Sequence, residues 1–185
     1  MSVEPLDYEI GKEEKPINYA TFGDRLLANI VDIPVLILPV GAGMYFGLVK
    51  QNFMILMLVL IISMLYKPLL EGIYGATIGK MVMKIKMVDD EGDVIGLGQS
   101  FMKNGIYIIS SLITIMTYIW LFDQPAFADS DGFIEASMVQ QGSPYGMISS
   151  IWSFVILVSC LAMLFSDYKQ TLHDRVASVF CVKGN

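Results

Sequence analysis

Residues 26–49 read LLANIVDIPVLILPVGAGMYFGLV, a run of uncharged residues broken once, by Asp32. A helix needs about 20 mostly apolar residues to cross the hydrocarbon core of a bilayer. This segment has the length, and three others meet or approach it. The second runs from Phe53 to Leu70, uncharged as far as Tyr66 and then meeting Lys67. The third is Gly105–Phe122 and the fourth Met147–Phe165, both free of charged side chains. Greasy core helices of a soluble protein would carry polar residues on their outer face at a 3.6-residue period. The third and fourth segments offer Ser, Thr and Gly but no charged stripe. The pattern predicts an all-α integral membrane protein with four transmembrane helices.

Composition agrees. Of 185 residues, 55% are apolar and 16% charged, with a mean hydropathy of +0.59. Soluble domains carry about a quarter charged residues. The net charge of −6 does not favour nucleic acid or anionic lipid as a partner, since both recruit basic patches. Acidic residues crowd the first 14 positions and the loops Asp89–Asp93 and Asp123–Glu135. Cys160 and Cys181 are too few for a disulfide framework and read as buried thiols. The first 24 residues are acidic and polar, unlike a secretory signal, so the first span is expected to stay as an anchor.

Lys and Arg in short loops mark the cytoplasmic side. Eleven of the twelve fall in the tail before the first span, the link between spans two and three, and the C-terminal segment; the other is Lys50. The loop 123–146 has none. Four crossings with both termini cytoplasmic fit this distribution. The expected organisation is an acidic cytoplasmic tail (1–24) and a membrane domain (25–182), with spans at 26–49, 53–70, 105–122 and 147–165. A cytoplasmic link at 71–104 and an external loop at 123–146 complete it.

In the link, Lys84 and Lys86 alternate with Met83, Ile85 and Met87, the period-2 pattern of a half-exposed strand. Asp89–Asp93 supplies a turn, and Val94, Ile95 and Leu97 return. Two strands alone are marginal in water, so Val176–Val182 is expected as the third strand of a small cytoplasmic cap. Thr171-Leu172-His173-Asp174 has the spacing of a capping box. That reading makes His173 and Asp174 parts of a capped helical turn; the other gives them a functional role.

Gly75-Ala76-Thr77-Ile78-Gly79-Lys80 resembles a phosphate loop but fails the test. Its glycines are one residue too close, and Met81 stands where Ser or Thr would hold magnesium. Asp129-Ser130-Asp131-Gly132 resembles the heart of a calcium loop, yet position 127 is Phe and position 138 is Met. One histidine and no cysteine cluster leave no recognisable zinc site. No nucleophile–base pairing stands out, so neither an enzyme nor a bound cofactor is expected.

The informative constellation is Arg25 and Asp32, seven residues and about two turns apart on one helix face. Arg25 sits at the cytoplasmic boundary and Asp32 about 10 Å deeper. An ionised carboxylate near mid-membrane costs about 3 kcal/mol on insertion scales, so its retention asks for a reason. Asn29, one turn before, shares its surroundings. One reason is an ion- or proton-binding carboxylate, helped by carbonyls freed by Pro34 and Pro39. The other is a structural lock onto a partner helix. Lys67 and Glu71, four residues apart, form a candidate interfacial pair at the cytoplasmic mouth, where such pairs contribute little.

These pieces together resemble the RDD family of small bacterial membrane proteins, named for an arginine and two aspartates. The matching stretches are Arg25-Leu26-Leu27-Ala28…Asp32, Gly75–Lys80, the strand and turn of Lys84–Val94, and Thr171-Leu172-His173-Asp174-Arg175-Val176-Ala177 with its closing strand. They occur in the family's order across residues 22–182. The resemblance implies that Arg25 and Asp32 are the first two signature residues and Asp174 the third. It also implies a bacterial inner membrane and a transport-related role, with monovalent cation/proton exchange among the suggestions. Two positions depart from the pattern: Ile78 replaces a usual Pro, and Lys103 stands where arginines are common. The loop 123–146 looks like an insertion. Against transport stands a non-catalytic scaffold or assembly factor with Arg25, Asp32 and Asp174 as locks. Four spans are few for a carrier and no internal repeat is evident, so the expected partners besides the bilayer are a second copy or another membrane protein.

Overall fold

The computed structural model describes residues 18–184; most of the expected acidic tail lies outside them. Four helices are long and apolar enough to cross a membrane. The first, α1 (Phe22–Met44), continues as a π-helical turn, Tyr45–Val49. It opens with a capping box in which the Asp24 N–H donates to Thr21 Oγ1 (3.3 Å) and the Thr21 N–H to Asp24 Oδ2 (2.9 Å). After a tight turn comes α2 (Phe53–Tyr74), with Asn52 as N-cap, ended by Gly75 in the left-handed region at φ 72°. The third span, α4, runs Leu97–Phe122, and the fourth, α7, runs Gly146–Leu161 before a 3-10 turn, Ala162–Phe165. Leu38, Met147 and Phe165 are 77%, 76% and 90% exposed. Side chains this apolar and this bare require lipid as their solvent, and the chain is an integral membrane protein.

Helix α4 begins eight residues before the segment read from hydropathy. The extension carries Ser100, Lys103 and Asn104, all buried. Ser100 Oγ donates to the carbonyl of Pro68 in α2 (2.8 Å). The first turns of α4 are thus polar towards α2 and apolar elsewhere, which hides them from a hydropathy window.

The link is where sequence and structure differ most. After Gly75 it forms a short helix, α3 (Ile78–Val82), which lies back against α1. Then β1 (Ile85–Val88) pairs antiparallel, not with a returning hairpin arm, but with β2 (Phe180–Lys183), with Met87 opposite Cys181. The turn at Asp89–Asp93 forms, yet its return is one bridge, Val88 to Val94. Gly96 already caps α4, leaving no chain for a second strand. On the other edge Tyr19 bridges Val182. The cap is therefore a two-stranded sheet flanked by single bridges, and the strand expected at 176–182 is shorter. Its start is taken by a helix, α8 (Leu172–Val176), because the Thr171–Asp174 capping box holds the chain helical there. Ile85 and Met87 face a core with Ala20, Ala28, Ile95, Ala177, Val179 and Cys181, while Lys84 and Lys86 stay exposed. The alternation seen in the sequence survives; its partner differs.

At the opposite end, the loop after α4 holds two short helices, α5 (Pro125–Ala128) and α6 (Phe133–Gln141). Phe127 and Ala136 bury against Leu48, Leu56, Tyr118 and Leu121. Asp129 and Asp131 remain exposed.

Gly79 sets the approach of α3 to α1. A Cβ there would lie 2.0 Å from the Ala28 carbonyl oxygen and 2.9 Å from Asp32 Cγ. Gly98, in α4, has nothing within 4 Å of the same position. Overpacking costs about 1–3 kcal/mol, whereas Gly→Ala in an open helix is favourable by up to about 1 kcal/mol. Gly79→Ala is expected to lower the melting temperature in detergent and Gly98→Ala to leave it level or raise it. Equal melting of the two variants would contradict this packing.

Candidate functional site

Three residues along one stripe of α1, buried Asp32, half-buried Arg25 and exposed Asn29, bond to other parts of the chain. Asp32, 3% exposed, accepts from Tyr66 Oη in α2 (2.9 Å), Thr77 Oγ1 (2.7 Å) and the Gly79 backbone N–H (2.7 Å). All three donors are neutral. The glycine-rich turn is thus a packing device: Gly75 ends α2, Thr77 caps α3, and Gly79 lets a backbone N–H reach the carboxylate. Asn29, one turn towards the cap, accepts from Lys67 Nζ (3.2 Å). Arg25 does not meet Asp32 at all. Its guanidinium donates to Asp174 Oδ2 (2.5 Å) and to the Lys169 carbonyl (2.6 Å), spanning α1 and the C-terminal segment.

Asp174 belongs to both readings made of it. Its N–H donates to Thr171 Oγ1, and its Oδ2 accepts from the Thr171 N–H (both 3.2 Å), completing the capping box while it also binds Arg25. Burial pushes its carboxyl pKa up, but the charges of Lys103 and Arg25 outweigh this and hold it at about 2. His173 hydrogen-bonds through Nδ1 to Ser159 Oγ (2.9 Å), with the Tyr107 ring edge against it. Burial lowers its pKa to about 4, opposed by Asp174 and reinforced by Lys103 and Arg25, so the imidazole is neutral at pH 7.

Lys67 and Glu71 do not pair. Lys67 turns to Asn29 and the face of Tyr107 (5.3 Å to the ring centre). Glu71, 1% exposed, instead takes Lys80 on Oε1 and Lys103 (2.7 Å) and Asn104 Nδ2 (2.8 Å) on Oε2. A carboxylate this buried requires more compensation than one interfacial cation supplies. The folded link and the start of α4 provide it. Burial alone would depress Lys80, but Glu71 holds its ammonium above the ordinary lysine value. Lys80, Lys103, Asn104, Tyr66 and Thr77 escaped the sequence reading as site residues. The signal for the lysines was Glu71 itself, a carboxylate late in a span with more basic residues in the following link than topology needs.

These groups surround a cavity of about 300 Å³ at the cap end, lined by Arg25, Lys67, Glu71, Lys80, Lys103 and Asp174 on its polar side. Four cations face two carboxylates across it. Arg25 Nε and Asp174 Oδ1 are buried without hydrogen-bond partners among the described residues. Among the described residues, no carboxylate lies within ion-pair distance of Lys67. Half-buried Cys160 also lines the cavity, while Cys181 is fully buried in the cap. Asp32 is not among the lining residues. The arrangement can hold a charged ligand by electrostatics and hydrogen bonding, and its cation excess suits an anionic one.

A family model described as the RDD family matches residues 19–178. No curated protein and no solved structure matches the chain.

His173 gives a pH test. Its folded pKa lies below its unfolded value of about 6.5, so the unfolded chain binds its proton first. Stability is then fully present above about pH 6.5 and lost as the pH falls towards 4. The loss is about 3 kcal/mol at most. The melting temperature of the detergent-solubilised protein is expected to fall between pH 6.5 and 4.5, and His173→Gln is expected to flatten that slope. The same slope in both proteins would remove His173 as its cause.

Proposed function

The chain belongs to the RDD family, and on that footing we propose that it is a non-enzymatic, transport-related membrane protein whose ligand site is the cap-end cavity. Asp32 is one of the ties that hold that cavity's walls. The observation supporting this is the state of the charges around the cavity. Ionisable groups within a bilayer are costly and tend to mark functional paths. Here they border open space. Among the described residues Lys67 has no carboxylate within ion-pair distance, while Arg25 Nε and Asp174 Oδ1 have no hydrogen-bond partner. A device built only to lock helices together would close and balance these groups.

Cation/proton exchange at Asp32 is the less favoured chemistry. A cation there would displace or reorient the donors of Tyr66, Thr77 and Gly79, and the adjoining cavity is cation-rich. The distribution of basic residues supports a reading with the cap end and both termini in the cytoplasm, and the family supports a bacterial inner membrane. Since four spans are few for a carrier, the working unit is an assembly, either of copies of this chain or with another membrane protein.

A scaffold is the second reading, favoured by a specific observation: Arg25, Asp32 and Asp174 all join the bundle to the link or the C-terminal segment. Purified protein in vesicles loaded with a pH dye, challenged with sodium, potassium or phosphate gradients, separates the two. A gradient-driven signal is expected for the wild type, lost in Lys67→Gln and retained per folded molecule in Asp32→Asn, which should melt lower. A wild type silent under every gradient would overturn transport and leave the scaffold.

A further inference from the structure

The cavity is not closed on all sides. Helix α1 packs on α2 and α3, and α7 packs on α4 and α8, so the helices run in the order α1–α2–α4–α7 with their weakest seam between α1 and α7. That seam is where the cavity is apolar. Phe22 and Leu26 on α1 are 41% and 48% exposed, and Leu157 and Leu161 on α7 are 53% and 41% exposed, all four lining it. One wall is therefore hydrocarbon open to the membrane, and the floor is charged.

The floor carries two excess positive charges, from Arg25, Lys67, Lys80 and Lys103 against Glu71 and Asp174. Lys80 and Lys103 are held by Glu71. Lys67 has only the Asn29 carbonyl and the face of Tyr107, which leaves part of its donor capacity for a ligand. A ligand that fills this floor brings a negative charge for Lys67. The flanking walls call for acyl chains.

We propose that the α1/α7 slot binds an anionic phospholipid, with phosphatidylglycerol as the probe, entering sideways from the leaflet at the cap end. The phosphate lies against Lys67 and Arg25, and the acyl chains run along Phe22, Leu26, Leu157 and Leu161. Basic pockets between membrane helices bind anionic headgroups in this way. The chain's overall charge of −6 does not oppose this, because the residues lining the slot themselves carry more cations than carboxylates. The inference rests on the proposal above only in taking the cavity as a ligand site; it does not need transport.

The test uses the full chain in neutral detergent, with native mass spectrometry to count retained lipids and melting to read stabilisation. One retained dioleoyl-phosphatidylglycerol and a rise in melting temperature are expected, with neither for dioleoyl-phosphatidylcholine. Lys67→Gln should lose the retained lipid, and Lys67→Arg should keep it. Soluble glycerol 3-phosphate and inorganic phosphate should give no rise. Equal response to both lipids, an unchanged response in Lys67→Gln, or an equal rise with either soluble anion would each overturn the proposal, the last by assigning the site to a free phosphate. No gradient is involved, so a chain that retains the lipid but moves no ions would sink transport alone. Measured flux with no lipid preference would sink this inference alone.

Discussion

A carboxylate inside a bilayer has no water to accept hydrogen bonds from and must draw its donors from the protein. Asp32 and Glu71, in the spans, meet that constraint. Asp174, fully buried in the C-terminal segment, meets the same demand set by burial, and each does so through groups of other elements. Asp32 recruits the glycine-rich turn, Glu71 recruits Lys80 and Lys103, and Asp174 recruits Arg25. Satisfying them folds the link back over α1 and draws the C-terminal segment onto the bundle. The two-stranded sheet, joining β1 of the link to β2 of the C-terminal segment, can form only once those segments are brought together.

The same requirement explains why the cavity exists. Charges need room for their partners, and the side chains that reach across between α1, α2 and α4 prevent the helices from closing tightly at this end. At the far end, the cluster of Leu48, Leu56, Tyr118, Leu121 and Phe127 buries no charged side chain. The cavities there, of about 260 and 410 Å³, are lined by hydroxyl, amide, apolar and aromatic groups with Asp123 at the edge. The chamber lined by several charges is the one at the cap end, and this difference in lining is the basis for placing function there.

The four spans, the capping box at Thr171 and the shared helix face of Arg25 and Asp32 are legible in the sequence, because each is a local pattern. Hydropathy, cap spacing and helical period need no knowledge of what lies opposite. The partners were not legible. Arg25 and Asp32 share a helix face, yet each is taken by a different segment. Glu71 and Lys67 have the spacing of an intrahelical pair, but buried Glu71 gains more from two lysines that the folded link and α4 deliver. The expected hairpin does not close, because the start of α4 at Leu97 cuts the returning arm short. Helices α5 and α6 are too short to show a period.

If these tertiary ties hold the cap to the bundle, Arg25 and Asp174 must depend on each other energetically. A double-mutant cycle with Arg25→Met, Asp174→Asn and the pair, read by unfolding in bicelles, measures that dependence directly. Removing one member of a buried pair strands the other, at about 3–5 kcal/mol, so a strongly non-additive cycle is expected, with coupling of about 2–3 kcal/mol. Additive effects would mean that the two charges stand apart in the membrane, and that the cap is held by something else.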